Sequence, residues 1–189
     1  MSGEVAFACE ISEDRRKAAV VASGREQDGT RVVVDLVWYD HPRGAVGRLV
    51  ELSEKHDPVA VVVDPRSQAA TLLRPLADAG VFVTEPGTAD VVVAHGEFLD
   101  LVRDGMLAHL EQPPLTSAVR AAQQRPLAGA GVGTAAGGRP EPARGRNAVG
   151  VGVPAVGGTG HAGSLGGLAV TAVTRVTNVT RPPLRNAGV

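Results

Sequence analysis

Cysteine, aromatic residues and long apolar runs are all scarce in this chain, and each scarcity excludes a class of protein. The 189 residues include one cysteine, Cys9, which excludes a disulfide scaffold and a cysteine-based zinc site. No uninterrupted apolar run approaches the roughly 18 residues of a membrane span. The first residues carry acids where a secretory signal peptide needs Lys or Arg. We therefore expect a cytoplasmic protein without a membrane anchor.

Aromatic residues are also unevenly distributed, and this divides the chain in two. All five lie before residue 130, whereas 14 of the 24 glycines lie in residues 131–189. Residues 1–130 contain 13 Lys and Arg against 19 Asp and Glu, a formal charge of −6, and residues 131–189 contain six Arg and one acid, a charge of +5. A glycine-rich segment without aromatic rings has little surface to bury and much backbone entropy to lose. The composition predicts a folded domain over 1–130 and a disordered, low-complexity tail over 131–189.

The tail has two interpretations. Its bias toward Gly, Ala, Val, Arg and Pro is typical of a GC-rich gene read out of frame, so a frameshift near codon 130 is one hypothesis. An authentic, flexible and mildly basic tail is the other.

The hydrophobic pattern predicts three strands joined by short turns, followed by alternating helices and strands. The strands are expected at 4–11, 17–23, 31–39, 59–64 and 81–84, the last one buried, and the helices at 45–56, from Ser67 to Gly80, from Thr88 to about Arg103, and near 116–124. The third helix is expected to direct Val92, Phe98, Leu99 and Val102 toward the core. This order implies an α/β fold, a mixed sheet flanked by helices with ribonuclease H-like topology.

Two acids occupy comparable positions at the ends of predicted strands. Glu10 lies near the end of the first strand, and Asp64 ends the fourth in VVVDP. Ligands of open α/β sheets bind beyond the carboxyl ends of the strands, where these carboxylates would meet if the strands are neighbours. Paired carboxylates suit Mg²⁺ or Mn²⁺, and two such ions about 3.5–4 Å apart can hydrolyse a phosphodiester. An Asp before Pro also commonly forms a turn or caps a helix, and that alternative stays open.

Basic residues near Glu10 are candidate contacts to nucleic acid. Arg15, Arg16 and Lys17 follow the first strand and could touch phosphates or simply form a solvated turn. His109 could face the same cleft or have a structural role at a helix end. The two lysines do not form the GK[ST] ending of a nucleotide-binding P-loop, so no ATPase motif is present.

Several segments, in this order, resemble one known family. They are FACEISEDRRKAAVVASG, RVVVDLVWY, PVAVVVDPRSQAATLLRPLADAGV and GEFLDLVRDGMLAHLEQPPLTSAVRAAQQRPLAGA, and they cover about residues 4–130. The sequence resembles the C-terminal nuclease domain of large terminase subunits from phages and prophages, of the type common in actinobacterial phages. That resemblance implies a ribonuclease H-like endonuclease that cuts concatemeric viral DNA during genome packaging. The implied setting is the cytoplasm of a bacterial host.

The same resemblance implies a site with two divalent metals, Mg²⁺ or Mn²⁺, held by three acidic positions. The first falls on Glu10, where the family usually has Asp, and the second on Asp64. The third belongs beyond the PLAGA-like stretch, where this chain has its glycine-rich tail and offers no acid in a recognisable context. The implied partners are double-stranded DNA, the terminase ATPase domain, the small terminase and the portal.

Two further readings stay open beside an active nuclease. One is a non-catalytic remnant that keeps the fold and serves as an assembly or interaction module. The other is an unrelated α/β ligand-binding domain, for which the sequence offers no phosphate loop. The charge of −6 over residues 1–130 also argues against strong DNA binding by the domain alone.

Overall fold

A six-stranded mixed sheet organises the chain in the computed structural model, which describes residues 4–121, 123–127 and 131–135. The elements in chain order are β1 (Val5–Ile11), β2 (Ala18–Arg25), β3 (Val32–Asp40), α1 (Ala45–His56), β4 (Ala60–Val62), α2 (Leu73–Asp78), β5 (Val83–Thr84), α3 (Thr88–Arg103), β6 (Leu107–His109), α4 (Pro113–Ala121), β7 (Gln123–Leu127) and β8 (Gly131–Ala135). No described helix is long and apolar enough to cross a membrane.

The strand order of the sheet is β5-β4-β1-β2-β3-β6. The first three strands form an antiparallel meander, while β4 joins β1, β5 joins β4 and β6 joins β3 in parallel. Five of the six strands therefore run in one direction, and their carboxyl ends share one edge of the sheet. β1 lies inside the sheet, between β4 and β2.

Alternation along the strands divides the core between the two faces of the sheet. From β1, Phe7, Cys9 and Ile11 pack on one face with residues of α1 and α2, such as Leu49 and Leu76. The opposite face of β1 presents small residues, and α3 and α4 cover it. The members of that second cluster include Ala6, Ala8, Leu115, Phe98 and Leu101. The predicted mixed sheet between helices is confirmed.

The predicted elements over the first 103 residues are largely confirmed, with α1 and α3 within a residue of their expected bounds. A strand does form within 81–84, but the prediction that it is buried is wrong. β5 is an edge strand of two residues, and the Phe82 side chain just before it is 96% exposed. On α3, Phe98 packs against the core as expected. Leu99 and Val102 are exposed, which contradicts their predicted burial.

The region after α3 differs most from the expectation. β6 was not predicted, because a three-residue strand is defined by its pairing with β3 rather than by any pattern of its own. The last helix begins three residues earlier than expected, and residues 123–127 form a strand instead of its end. β8 pairs with β7, so the predicted boundary after Ala130 falls within this hairpin. Residues 136–189 of the predicted tail lie outside the described residues, and the domain division stays a prediction.

Candidate active site

Glu10 and Asp64 lie at the same level of two neighbouring strands. In the parallel pair of β1 and β4, Ala8 is opposite Val62. Glu10 lies two residues after Ala8, and Asp64 lies two residues after Val62. Adjacent strands are about 4.8 Å apart. The pairing of β1 with β4 therefore meets the condition on which the sequence argument depended, that these two strands are neighbours.

Glu10 is half-buried, and its surroundings disfavour its charged form. Burial raises the pKa of Glu10 from 4.5 to about 7, and the negative charge of Asp64 contributes in the same direction. Hydrogen bonds from the backbone of Ile11, the hydroxyl of Ser67 and the backbone of Ala69 oppose this rise. The Ile11 nitrogen donates to Glu10 Oε1 at 3.0 Å. A buried carboxylate beside a second acid is an arrangement that a cation would stabilise.

The carboxylate of Asp64 is held by Arg66. The Arg66 backbone nitrogen and Nε both lie 2.9 Å from Asp64 Oδ1, and Nη2 lies 3.2 Å from Oδ2. The remaining guanidinium nitrogen donates to Thr88 Oγ1 at 2.6 Å, at the start of α3. Arg66 therefore connects the segment after β4 to the first residue of α3. Sequence reasoning missed this residue, although an Arg two positions after an Asp at a strand end was a usable signal.

Ser67 begins the helical segment that follows Asp64, as predicted. Its backbone is extended and its hydroxyl accepts from the Ala69 nitrogen at 3.1 Å, which caps a short 3₁₀ turn at Gln68–Leu72. The Ser67 nitrogen and hydroxyl both donate to the backbone carbonyl of Asp64 at 3.0 Å. β4 itself ends at Val62, and Pro65, which cannot donate a ladder hydrogen bond, prevents the strand from continuing beyond Asp64, so the chain turns. The turn fixes Asp64 at the edge of the sheet.

The basic turn after β1 lies at the same edge, but its three residues differ in availability. Arg15 donates to the Gln68 carbonyl at 3.3 Å, to Gln68 Oε1 at 3.2 Å and to Thr71 Oγ1 at 3.1 Å, so its side chain ties two loops together. Arg16 is 81% exposed and its Nε lies 3.9 Å from Asp14. Lys17 lies over the Tyr39 ring and 4.0 Å from Asp40. Arg16 and Lys17 could therefore turn toward a ligand without breaking hydrogen bonds between two loops, whereas Arg15 could not.

His109 is not brought to this site. It is the last residue of β6 and pairs with Val34 of β3. Val34 pairs with Ser23 of β2, and Ser23 pairs with Ala6 of β1, which lies four residues before Glu10. Three strand spacings and about four residues along a strand put it roughly 20 Å from Glu10. The helix-end role expected for His109 is wrong, since it lies at the end of a strand. Its Nδ1 is 2.9 Å from the Leu110 carbonyl oxygen.

Within the described ranges, no group of three or more His, Cys, Asp or Glu side chains is arranged to hold a metal ion. Glu10 and Asp64 are thus the two acids brought together at this edge, and among the residues that the structure describes no third acid, His or Cys completes a metal-binding group with them. The chemistry of two carboxylates still fits Mg²⁺ or Mn²⁺, because Mg²⁺ keeps several waters and binds through one or two carboxylates, and Mn²⁺ suits the same oxygen ligands.

Solved structures of phage large terminases share this fold. The large terminase of bacteriophage HK97 matches 92% of this chain with a TM-score of 0.60 and 15% sequence identity. This chain spans 39% of the HK97 protein. The large terminase nuclease of thermophilic phage G20c matches 94% of this chain and 84% of its own, with a TM-score of 0.55 and 13% identity. The ribonuclease H-like fold expected from the strand order is confirmed.

A second structure of the G20c nuclease, with bound magnesium, also matches. It covers 74% of this chain and 75% of its own, with a TM-score of 0.53 and 15% identity. By sequence, no protein-family model and no curated protein matches the chain. The structural neighbours are therefore phage large terminase nucleases, at identities where the likeness concerns the fold.

Proposed function

We propose that this chain is the nuclease module of a phage large terminase, which hydrolyses phosphodiester bonds of double-stranded DNA with Mg²⁺ or Mn²⁺. The observation that carries the proposal is the placement of Glu10 and Asp64 at one level of β1 and β4, on a fold shared with terminase nucleases. One of those neighbours binds magnesium. The proposed setting is the cytoplasm of an infected or prophage-carrying bacterium.

Each residue at the edge has a distinct role in this proposal. Glu10 and Asp64 would hold the cation, Arg66 orients the Asp64 carboxylate, and Ser67 fixes the turn that follows Asp64. When bound, the divalent cation supplies a water of lowered pKa and offsets the charge that develops on the phosphate. Arg16 and Lys17 would contact the DNA backbone beside the site.

The negative charge of the domain bears on how DNA reaches the site. Residues 1–130 carry a formal charge of −6, so the module lacks the electrostatic surface of an autonomous DNA-binding protein. We propose that the terminase ATPase domain, the small terminase and the portal deliver the DNA. The isolated module should then act weakly, and most readily at low salt.

A non-catalytic assembly module is the second candidate, and one observation favours it. No third metal-ligating side chain joins the two acids within the described part of the chain. Glu at position 10 also extends the carboxylate one methylene beyond the Asp usual in the family that the sequence resembles. A misplacement of about 1 Å at a reacting group costs about a hundredfold in rate.

Cleavage of supercoiled plasmid separates the two candidates. The parent chain, Glu10→Gln and Asp64→Asn are incubated with plasmid and Mn²⁺ at low salt, and folding is verified by circular dichroism. The exposed acid Glu13 provides the matched control, Glu13→Gln. Nicking by the parent and the control, lost in both site variants, supports the nuclease. A folded parent that leaves the plasmid intact supports the assembly module.

A further inference from the structure

Arg66 occupies most of the ligating capacity of Asp64. A carboxylate offers about four acceptor positions. Three are taken by donors from this one residue, two on Oδ1 and one on Oδ2. Two of these three donors belong to the guanidinium, and the third is the backbone nitrogen. One acceptor position on Oδ2 is left for any other ligand.

The ion pair of Asp64 and Arg66 is partly exposed to solvent. The side chain of Asp64 is 25% exposed and that of Arg66 is 39% exposed, so a hydrated ion can approach the carboxylate. The guanidinium is also held in place from its other side by Thr88 Oγ1. It is therefore a fixed positive charge beside a carboxylate that faces a second acid.

We infer that Arg66 is a positioning residue that competes with the divalent cation for Asp64 and thereby sets the metal affinity of the site. This inference rests on the proposed function and adds to it a determinant of metal occupancy. A divalent ion at Asp64 must share the carboxylate with a like-charged guanidinium or displace it toward Thr88. Repulsion between a single and a double positive charge about 6 Å apart, even at the dielectric constant of water, is worth about tenfold in affinity.

The test measures Mn²⁺ affinity rather than activity. Calorimetric titrations compare the parent, Arg66→Gln, Asp64→Asn and a control, Arg74→Gln, which removes an equal charge from an exposed arginine of α2. Arg66→Gln is expected to bind Mn²⁺ about tenfold more tightly than the parent, and Arg74→Gln is expected to match the parent. Arg66→Lys keeps the charge without the two-nitrogen contact and should fall between Arg66→Gln and the parent. A purely structural role for Arg66 would weaken binding in every Arg66 variant.

The outcomes separate this inference from the proposed function. If the parent binds Mn²⁺, Asp64→Asn does not, and Arg66→Gln binds no more tightly than the parent, the competition is refuted and the metal site stands. If no variant binds Mn²⁺, or if Asp64→Asn binds as well as the parent, the proposed metal site fails and the inference fails with it. Tighter binding by Arg66→Gln than by the parent, with no binding by Asp64→Asn, supports both.

Discussion

The guanidinium of Arg15 donates to both the backbone carbonyl and the side chain of Gln68, and so fastens the turn after β1 to the turn after Asp64. Glu10 precedes the first turn and Asp64 precedes the second. The relative position of the two acids therefore depends on sheet pairing and on this contact between their loops.

Arg15 also has a left-handed backbone, with φ of 57°. Arg15→Ala removes the tie to Gln68 and keeps the backbone cost, so we expect it to lower the free energy of unfolding by about 1 kcal/mol. Arg15→Gly removes the tie but relieves a backbone cost of about 1–2 kcal/mol. Urea denaturation should find the Gly variant at least as stable as the Ala variant. A Gly variant clearly less stable than Ala would show that the turn is not strained.

Glu10 should make the metal-free protein less stable as the pH rises. Its pKa is about 7 in the folded state, against an ordinary value of 4.5. Between these values the folded state keeps a proton that the unfolded chain releases, so stability is greatest below about pH 4.5 and falls toward pH 7, by about 3 kcal/mol for this group. Glu10→Gln should remove that loss.

The measurement is urea denaturation at pH 5 and pH 8 in EDTA, with the exposed Glu13→Gln as control. The parent and the control should both lose stability between the two pH values, and Glu10→Gln should lose less. Equal pH dependence in all three proteins would refute the assignment to Glu10.

Ser67 caps the segment after Asp64, so its hydroxyl should contribute to stability. Ser67→Ala is expected to cost about 1 kcal/mol, the typical value of an N-cap, and to raise the pKa of Glu10 further because a hydrogen bond to its charged form is lost. Ser53→Ala is the matched control, since the buried Ser53 hydroxyl has no hydrogen-bond partner among the described residues. Thermal unfolding of both variants checks the difference. Equal melting temperatures would contradict the cap.

Arg16 and Lys17 are expected to contribute phosphate contacts. Replacing both with Gln should weaken DNA binding and reduce the slope of log affinity against log salt by about 2, close to one per contact. The matched control is Lys55→Gln with Arg74→Gln, which removes the same charge from helices α1 and α2. Fluorescence anisotropy over a salt series gives both slopes. Identical slopes for the two double variants would mean that the β1–β2 turn does not touch DNA.

Sequence patterns predicted the helices and strands that bury one whole face in the core. They missed the element that exists only because it pairs with a neighbouring strand. The alternation in β1 and the spacing in α1 reflect burial, which is why their bounds were found. β6 exists because β3 offers it an edge, and Phe82 is exposed because β5 ends the sheet. Neither property is contained in the local sequence.

In the candidate site, too, some features could be predicted from the sequence and others depend on the tertiary structure. Glu10 and Asp64 could be identified because strand ends are readable and the edge that parallel strands share follows from their direction. The contact of Arg66 with Asp64 depends on the path of a turn, and the separation of His109 from the site depends on strand order. Neither follows from spacing along the chain.

The central claim is that Glu10 and Asp64 hold one divalent cation between them. The most direct measurement is an anomalous difference map, recorded near the manganese edge, from a crystal of the chain equilibrated with Mn²⁺. The account predicts a peak within about 2.0–2.6 Å of carboxylate oxygens from both residues, the range of hard-cation coordination. A peak bound to other residues, or no peak at saturating Mn²⁺, would contradict it.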